Sequence, residues 1–277
     1  MDNQTPDLFH LDEAQPNFEA LAQENGFRFW LGSRLAESLG YSETSKLDKA
    51  INKAMTVCMT LGIPVIENFV QTEGAKDYKL SRFACYLTVM NSDVRNPLVA
   101  KAQAYFAGLA VAFAEYTKAD SVERVLIRGE ISDREGTLSS TAHTQGVENY
   151  AFFQNAGYRG MYNMNISKLK NYKGMGEQTK GSLLDFMGKD ELAANLFRIT
   201  QTEAKIRNEG IRGQSNLETT AEGVGRDVRN TMIKISGQKP EELKLEKSIV
   251  EVKKNLKLTH KELKKIDQKP AEKKRLN

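Results

Sequence analysis

The stretch "ELAANLFRITQTEAKIRNEG", Glu191 to Gly210, predicts a helix of about five turns. When it is projected at roughly 100° per residue, its side chains separate into an apolar half and a polar half. The apolar half contains Leu192, Ala193, Leu196, Phe197, Ile199, Ala204 and Ile206, and the polar half contains Asn195, Arg198, Gln201, Thr202 and Lys205. We expect the first group to pack in a core and the second to form the outer face of the helix.

Three residues break this pattern, because Thr200, Glu203 and Arg207 fall inside the apolar arc. Glu203 precedes Arg207 by one helical turn, which is the favourable order for an ion pair. Since an unpaired buried charge is very costly, we expect a polar seam where this helix meets another chain segment or subunit, with Thr200 hydrogen-bonded beside the pair. The alternative is that the seam serves partner recognition. The outer residues that would then reach DNA or a nucleoprotein filament are Asn195, Arg198, Thr202 and Lys205.

Length and local patterns predict a predominantly helical α+β protein with more than one compact unit, because 277 residues exceed a typical single domain. The expected parts are an N-terminal arm (1–16), a first domain with a small β-sheet (17–117), a linker or connector (118–149), a helical domain (150–238) and a basic tail, helical or disordered (239–277). The linker assignment depends on the polar run "DREGTLSSTAHTQG", Asp133 to Gly146.

The first domain carries clear turn and cap signals. Asn25-Gly26 predicts a hairpin, and a short helix is expected from Ser33, as its N-cap, to Leu39. Apolar residues at three- and four-residue steps predict an amphipathic helix between Ser45 and Gly62, which gives a helix-turn-helix-like pair. A brief extended piece over Tyr78 to Leu80 precedes a helix capped near Ser81.

The net charge is divided unevenly along the chain. Residues 1–149 sum to −6, residues 150–239 to +5 and residues 240–277 to +5. Clustered Lys and Arg favour a polyanionic partner such as nucleic acid, because binding releases condensed counterions. A solvated basic tail without a partner is the alternative.

Apolar residues recur in the basic tail at spacings that permit a helix packed against another chain, so a homo-oligomer is one expectation. They are Leu243, Ile249, Val252, Leu256 and Leu263.

No stretch of the sequence approaches the ~20 apolar residues that span a bilayer, and the start "MDNQTPDLFHLDEAQP" lacks the features of a signal peptide. We therefore expect a cytoplasmic protein without a membrane partner. Cys58 and Cys85 each lie in an apolar run, which predicts reduced core thiols.

Five motifs occur in an order that resembles a known family. They are "WLGSRLAESLGYSE", "LSRFACYLTVMNSD", "AQAYFA", "FFQNAGYRGMYNM" and "DELAANLFRITQTEAKI". Over about residues 17–245 the chain resembles the bacterial DNA-damage-inducible protein D family, and its front half is similar to the Bro-N domain of phage antirepressors and baculovirus repeated proteins. The resemblance implies a bacterial or mobile-element protein of the DNA-damage (SOS) response, with DNA binding by the Bro-N-like domain and antagonism of RecA recombinase filaments. It supplies no catalytic residues, and the segment 118–149 departs from the charged helical connector expected of the family.

In the Bro-N-like domain, the resemblance favours a DNA-binding surface formed by the turn and the second helix. Its candidate residues are Arg34, Tyr41, Ser42, Ser45, Lys46, Lys49 and Lys53. Lys and Arg there would contact phosphates, and the N-terminus of the helix would favour a phosphate as well. The alternative is that Tyr41 packs under the turn and the lysines are ordinary solvated residues.

The helical domain interleaves aromatic and basic residues in "NAGYRGMYNMNISKLKNYKG". Tyr158, Tyr162 and Tyr172 alternate there with Arg159, Lys168, Lys170 and Lys173. Base stacking on aromatic rings combined with phosphate contacts is typical of single-strand binding. Alternatively, half or more of the tyrosines belong to the core.

The sequence gives little support for catalysis or cofactors. In "GMGEQTKGSLL" Lys180 stands before Gly181 rather than after it, so the run is not a P-loop. The acidic-x-Lys triplets at Asp77 and Glu203 leave a metal-dependent nuclease as one alternative, and a phage-type antirepressor acting by protein contact is another. No His or Cys spacing predicts a metal site. We expect a DNA-associated regulator without a cofactor. The sequence favours a binding protein over an enzyme.

Overall fold

The computed structural model describes residues 17–72, 77–109, 119–176 and 179–268, and the expected arm 1–16 lies outside these ranges. The chain divides into two compact units. Unit 1 contains Met1–Leu126 and Val250–Asn277, and unit 2 contains Ile127–Ile249. The α+β, mostly helical fold class is confirmed, because helices dominate both units and one small sheet lies in unit 1.

The sheet of unit 1 has four antiparallel strands in the order β1-β2-β4-β3. They are β1 (Gln23–Glu24), β2 (Arg28–Leu31), β3 (Phe69–Gln71) and β4 (Tyr78–Leu80). The Asn25-Gly26 hairpin is confirmed, with Gln23 opposite Phe29 and Gly26 at φ 72°, a conformation that favours glycine.

Five α-helices accompany the sheet in the described part of unit 1. They are α1 (Gly32–Ser38), α2 (Asp48–Leu61), α3 (Arg82–Met90), α4 (Pro97–Leu109) and α10 (Ile249–Gln268), which begins at the last residue of unit 2. The Ser81 cap is confirmed, since its side chain accepts a hydrogen bond from Ala84 N. Ser33 is not an N-cap. Instead, Asp77 Oδ1 accepts from Ser33 N at 3.0 Å, so a residue far along the chain caps α1.

The core of unit 1 is organised around Trp30. Its ring stacks on Phe18 at 4.6 Å between centroids, and its Nε1 donates to Phe18 O. The Arg82 guanidinium lies over the Trp30 ring, 4.8 Å from its centroid. It pairs with Glu19 and with Asp267 of α10. Cys58 and Cys85 are buried free thiols, as expected, and burial raises the pKa of Cys58 to about 12.

The helix α5 (Ala119–Thr144) carries the chain from unit 1 into unit 2. The division between the units, at Leu126 and Ile127, falls within the expected linker or connector of 118–149, and residues 119–144 of this segment form a helix rather than a loop. Ser, Thr and Gly residues suggested a loop, but Ile131, Leu138 and Ala142 keep a helical spacing and are buried. Tertiary packing thus overrides weak local propensity.

Four further helices form unit 2 in its described residues: α6 (Tyr150–Tyr162), α7 (Ile166–Tyr172), α8 (Lys189–Glu209) and α9 (Gln214–Ser236). Unit 2 accordingly extends beyond the expected limits of 150–238 at both ends. Short 3-10 turns complete the chain at Phe18–Leu21, Thr44–Leu47, Val65–Glu67, Leu183–Phe186 and Pro240–Glu242. None of the helices in the described ranges combines the length and apolarity that a membrane span would need.

The expected basic tail is helical, but it is not a separate part. Its helix α10 belongs to unit 1, and Val252, Leu256 and Leu263 are buried within this single chain. The apolar spacing in the tail is thus explained without a second copy, and a homo-oligomer remains a prediction.

The helices α6 and α9 cross at backbone contact distance. A Cβ added to Gly160 would lie 2.0 Å from Glu222 O, and one added to Gly225 would lie 2.5 Å from Gly157 O. No side chain fits between backbones at such distances. Glycine is therefore required at this crossing for steric reasons.

We predict that Gly160→Ala lowers the free energy of unfolding by about 1–3 kcal/mol, because the new methyl group must push α6 and α9 apart. Gly223→Ala is the matched control, since a Cβ there meets nothing within 4 Å in the same helix pair. It should raise stability by up to about 1 kcal/mol through helix propensity. Urea unfolding followed by circular dichroism measures both, and equal effects of the two variants would contradict the close crossing.

Candidate nucleic-acid interface

Lys46, Lys49 and Lys53 form a cationic surface along α2 and the 3-10 turn before it, which we call the α2 lysine face. Lys46 and Lys49 are exposed and Lys53 is half-buried. None of the three forms an ion pair with any described residue, and the neighbouring positions Asn52 and Thr56 on this side are uncharged. The structure thus brings these predicted residues together with their charge uncompensated.

The other candidates near α2 contribute less. Arg34 pairs with Glu37 at 2.8 Å, Ser45 donates to Glu43 at 2.9 Å, Tyr41 is half-buried and Ser42 is exposed. The α-helix begins at Asp48, so a carboxylate occupies the turn where a phosphate was expected. That carboxylate already complements the helix dipole and repels an anion.

Three side chains of the aromatic and basic segment, those of Tyr158, Tyr162 and Lys173, are inaccessible to DNA. Tyr158 and Tyr162 are core residues, and the Lys173 side chain is only 2% exposed. Lys173 Nζ lies 2.9 Å from Glu191 Oε1 and donates to Leu243 O and Pro240 O, which uses its full donor capacity. The prediction that Tyr158 and Lys173 contact DNA is therefore wrong.

Of the remaining candidates in this segment, Arg159 is partly exposed but lies 3.2 Å from Glu222 and 3.9 Å from Glu218. Its charge is thus already compensated. Lys168 and Tyr172 are exposed and Lys170 is half-buried, without a described ion pair for either lysine. Of the predicted aromatic and basic pattern, only these residues of α7 remain candidates for DNA contact.

The predicted outer face of α8 is mostly turned inward. Asn195, Arg198 and Thr202 are buried, whereas Phe197, assigned to the core, is 56% exposed. Asn195 Nδ2 donates to Tyr162 Oη at 2.6 Å, and Thr202 Oγ1 donates to Arg198 O at 2.7 Å. The assignment of these three residues to partner binding is wrong, because polar partners within the chain offset their burial.

Arg198 is held inside unit 2 by shape as well as by hydrogen bonds. Its guanidinium lies 5.0 Å from the centroid of the Tyr158 ring and donates to Asn195 Oδ1 at 3.2 Å. A Cβ on Gly157 would lie 2.3 Å from the guanidinium, so that glycine makes room for it. Lys205 alone of the four predicted partner-binding residues is exposed, 3.9 Å from Glu209.

The polar seam of Glu203 and Arg207 is confirmed as an ion pair of 2.6 Å. Thr137 and Thr141 of α5 donate to the Glu203 carboxylate at 2.9 and 3.2 Å, so the helix meets another segment of the same chain here. Thr200 does not join the seam, because its hydroxyl donates to Phe197 O.

A second cationic surface was missed from the sequence. Lys254, Lys257 and Lys261 are exposed on α10, opposite the buried Val252 and Leu256, and we call them the α10 lysine face. None of the three forms an ion pair with a described residue. The signal was present in the spacing i, i+3, i+7, which places all three on one side of a helix.

Two further lysines of α10 are compensated. Lys264 pairs with Glu67 at 3.2 Å and Lys265 with Glu262 at 2.7 Å. Lys253 has no described ion pair either, but it is half-buried, so the exposed and unpaired lysines among the described residues of α10 are those of the α10 lysine face. Among the described residues, no cluster of three or more His, Cys, Asp or Glu side chains is arranged to hold a metal ion.

We predict that Lys173→Met destabilises the protein by about 3–5 kcal/mol, because it leaves the Glu191 carboxylate buried without its cation. Lys170→Met is the matched control, since Lys170 lies in the last turn of α7, just before Lys173, with no described ion pair, and it should change stability little. Thermal and urea unfolding measure this. If Lys173→Met left the unfolding midpoint unchanged and weakened DNA binding, the structural role given to Lys173 would be wrong.

Comparison with known proteins agrees with the motif resemblance. Residues 118–252 match the family described as the DinD C-terminal domain, a range that contains all of unit 2. The chain is 34% identical over 263 residues to DNA damage-inducible protein D of Escherichia coli (strain K12), and the match covers 87% of this chain and 95% of that protein. The similarity of the front half to Bro-N stays a prediction. The family resemblance is confirmed: this chain belongs to the DNA damage-inducible protein D family.

Proposed function

We propose that this protein binds DNA in the cytoplasm as a regulator of the DNA-damage (SOS) response, through the two lysine faces of unit 1. The name of its relative connects the family with DNA damage. The observation that carries DNA binding is that the six lysines of the two faces have no ion pair with a described residue, and that all of them except the half-buried Lys53 are exposed. Most other exposed cations considered above have a carboxylate partner.

Lysines without a carboxylate partner suit phosphates for an electrostatic reason. A paired lysine must give up its carboxylate before it can neutralise a phosphate, whereas an unpaired one releases only mobile counterions. Surface charge of this kind binds the DNA backbone and reads no base sequence. The proposed binding is thus strongly dependent on salt and weakly dependent on sequence.

Antagonism of a RecA recombinase filament is part of the proposal. A recombinase filament and a lysine face would compete for the same phosphates, and that competition would displace the recombinase or block its strand. The exposed side chains of Lys205 and Phe197 on α8 offer a surface for direct contact with the filament. The other three residues predicted from the sequence for this contact are buried.

We predict that removing either lysine face weakens DNA binding and reduces its salt dependence. In fluorescence anisotropy, the triple change of Lys46, Lys49 and Lys53 to Gln should lower the slope of log K against log salt by about 2–3, as should the same change of Lys254, Lys257 and Lys261. The matched control is a triple change of Arg134, Arg226 and Lys239 to Gln, which removes the same charge from exposed positions of unit 2 where each cation has a carboxylate partner. It should leave binding nearly unchanged.

Other outcomes would redirect the proposal. Absence of binding to single- and double-stranded DNA at low salt would end the direct DNA-binding version, and inhibition of RecA strand exchange without DNA binding would then favour protein antagonism alone. Nicking of plasmid with Mg²⁺ or Mn²⁺ that Glu203→Gln or Asp77→Asn abolishes would favour the nuclease alternative. Capture of a phage-type repressor without DNA would favour an antirepressor.

A further inference from the structure

A cavity of about 280 Å³ lies within unit 1, between the β1–β2 hairpin, the start of α3 and the C-terminal half of α10. Its walls include Phe27, Arg28, Phe83, His260 and Lys264. This volume is slightly below the usual range for sites of drug-sized ligands, so it suits one small ring system.

Three aromatic residues line the cavity, namely Phe27, Phe83 and His260. Phe27 at the hairpin is 43% exposed, and its centroid lies 5.4 Å from that of Phe29. Across the cavity, the Phe83 ring packs against His260 at 4.8 Å between centroids. A partly exposed aromatic side chain at the mouth of an aromatic cavity favours a planar ligand, because ring faces stack well on one another.

The charges at the cavity exclude a phosphate from its interior. Arg28 pairs with Glu19, Lys264 with Glu67, and Asp267 with Arg82, so each cation is already compensated. Glu24 adds a further carboxylate to the wall. An anion would be repelled here, whereas a neutral ring with N–H donors would find carboxylate acceptors.

The cavity and the α10 lysine face share the helix α10. His260 lines the cavity, and the next residue, Lys261, belongs to the face, about 100° further round the helix. Lys257 lies one turn from Lys261, and Lys264, one turn from His260, lines the cavity itself. One helix thus presents uncompensated cations beside an aromatic cavity.

We propose that this cavity receives an unstacked base of single-stranded nucleic acid whose phosphates lie along the α10 lysine face. The inference rests on the proposed function and deepens it, because it names the strand form. A duplex keeps its bases stacked and paired, so it can use the lysines but not the cavity. Single strands combine both contacts, as in other proteins that stack bases on aromatic side chains beside a basic groove.

The test compares two probes, a mixed-sequence single strand and an abasic strand of equal length. Wild type should bind the base-bearing strand more tightly. Phe27→Ala should weaken that binding by about 5- to 100-fold and leave the abasic strand unaffected. The matched control is Phe152→Ala, since Phe152 is a similarly exposed phenylalanine of unit 2, and it should change neither affinity. Changing Lys257 and Lys261 to Gln should weaken both probes alike.

A second readout follows the base itself. The fluorescent base 2-aminopurine, placed in the single strand, should change its emission on binding to wild type and not to Phe27→Ala, because it leaves its neighbouring bases when it enters the cavity. Circular dichroism shows whether each variant is folded. If Phe27→Ala bound the base-bearing strand as wild type does, with the same change in emission, the cavity proposal would be overturned while DNA binding stood. If neither probe bound wild type at low salt, the proposed function itself would fail.

Discussion

The buried guanidinium of Arg82 is the constraint on which unit 1 depends. It joins three parts of the chain, since it pairs with Glu19 and with Asp267 and lies over Trp30. Burial alone would raise the pKa of Glu19, but the pair with Arg82, supported by the Tyr105 hydroxyl, holds that pKa below its usual value. A buried cation left without these carboxylates would cost about 3–5 kcal/mol, so the partners must stay together. This contact helps to fix the position of α10, which carries the α10 lysine face and lines the cavity.

Unit 2 contains buried polar groups as well, but it distributes them along one helix. The side of α8 that carries Glu191, Asn195, Arg198 and Thr202 faces inward, and each of these residues has a polar or aromatic neighbour within the unit. Burial raises the pKa of Glu191 despite the opposing effect of Lys173. The close crossing of α6 and α9 lies beside this polar core, since Gly157 serves both. Packing and polar pairing are therefore coupled in unit 2.

Local signals allowed much of unit 1 to be predicted. Asn25-Gly26 specified a hairpin, Ser81 a helix start and Gly62 a helix end, because each of these depends only on neighbouring residues. The cap of α1 could not be found in this way, because its acceptor Asp77 is 44 residues away from Ser33.

The candidate site was less predictable for the same reason. Periodicity located α8 correctly but not all of its buried side, because Asn195 is buried against a partner on another segment, Tyr162 of α6. The burial of Lys173 after α7 depends in the same way on the distant carbonyl of Leu243. The helix within 118–149 was not foreseen, because Thr137 and Thr141 suggested a loop but donate hydrogen bonds to Glu203 of another segment. The spacing of the lysines on α10 could have been read from the sequence. The structure was needed to show that α10 belongs to unit 1, which also carries the α2 lysine face.

The placement of unit 2 as an insertion between the two parts of unit 1 bears on synthesis at the ribosome. Arg82 and Asp267 are 185 residues apart, and at about 5–20 residues per second their translation is separated by roughly 10–40 s. The helices α6 to α9 of unit 2 are therefore synthesised before α10 begins. During that interval the nascent chain has neither the α10 cations nor the finished cavity, so unit 1 can complete its core around Arg82 only after α10 has been made.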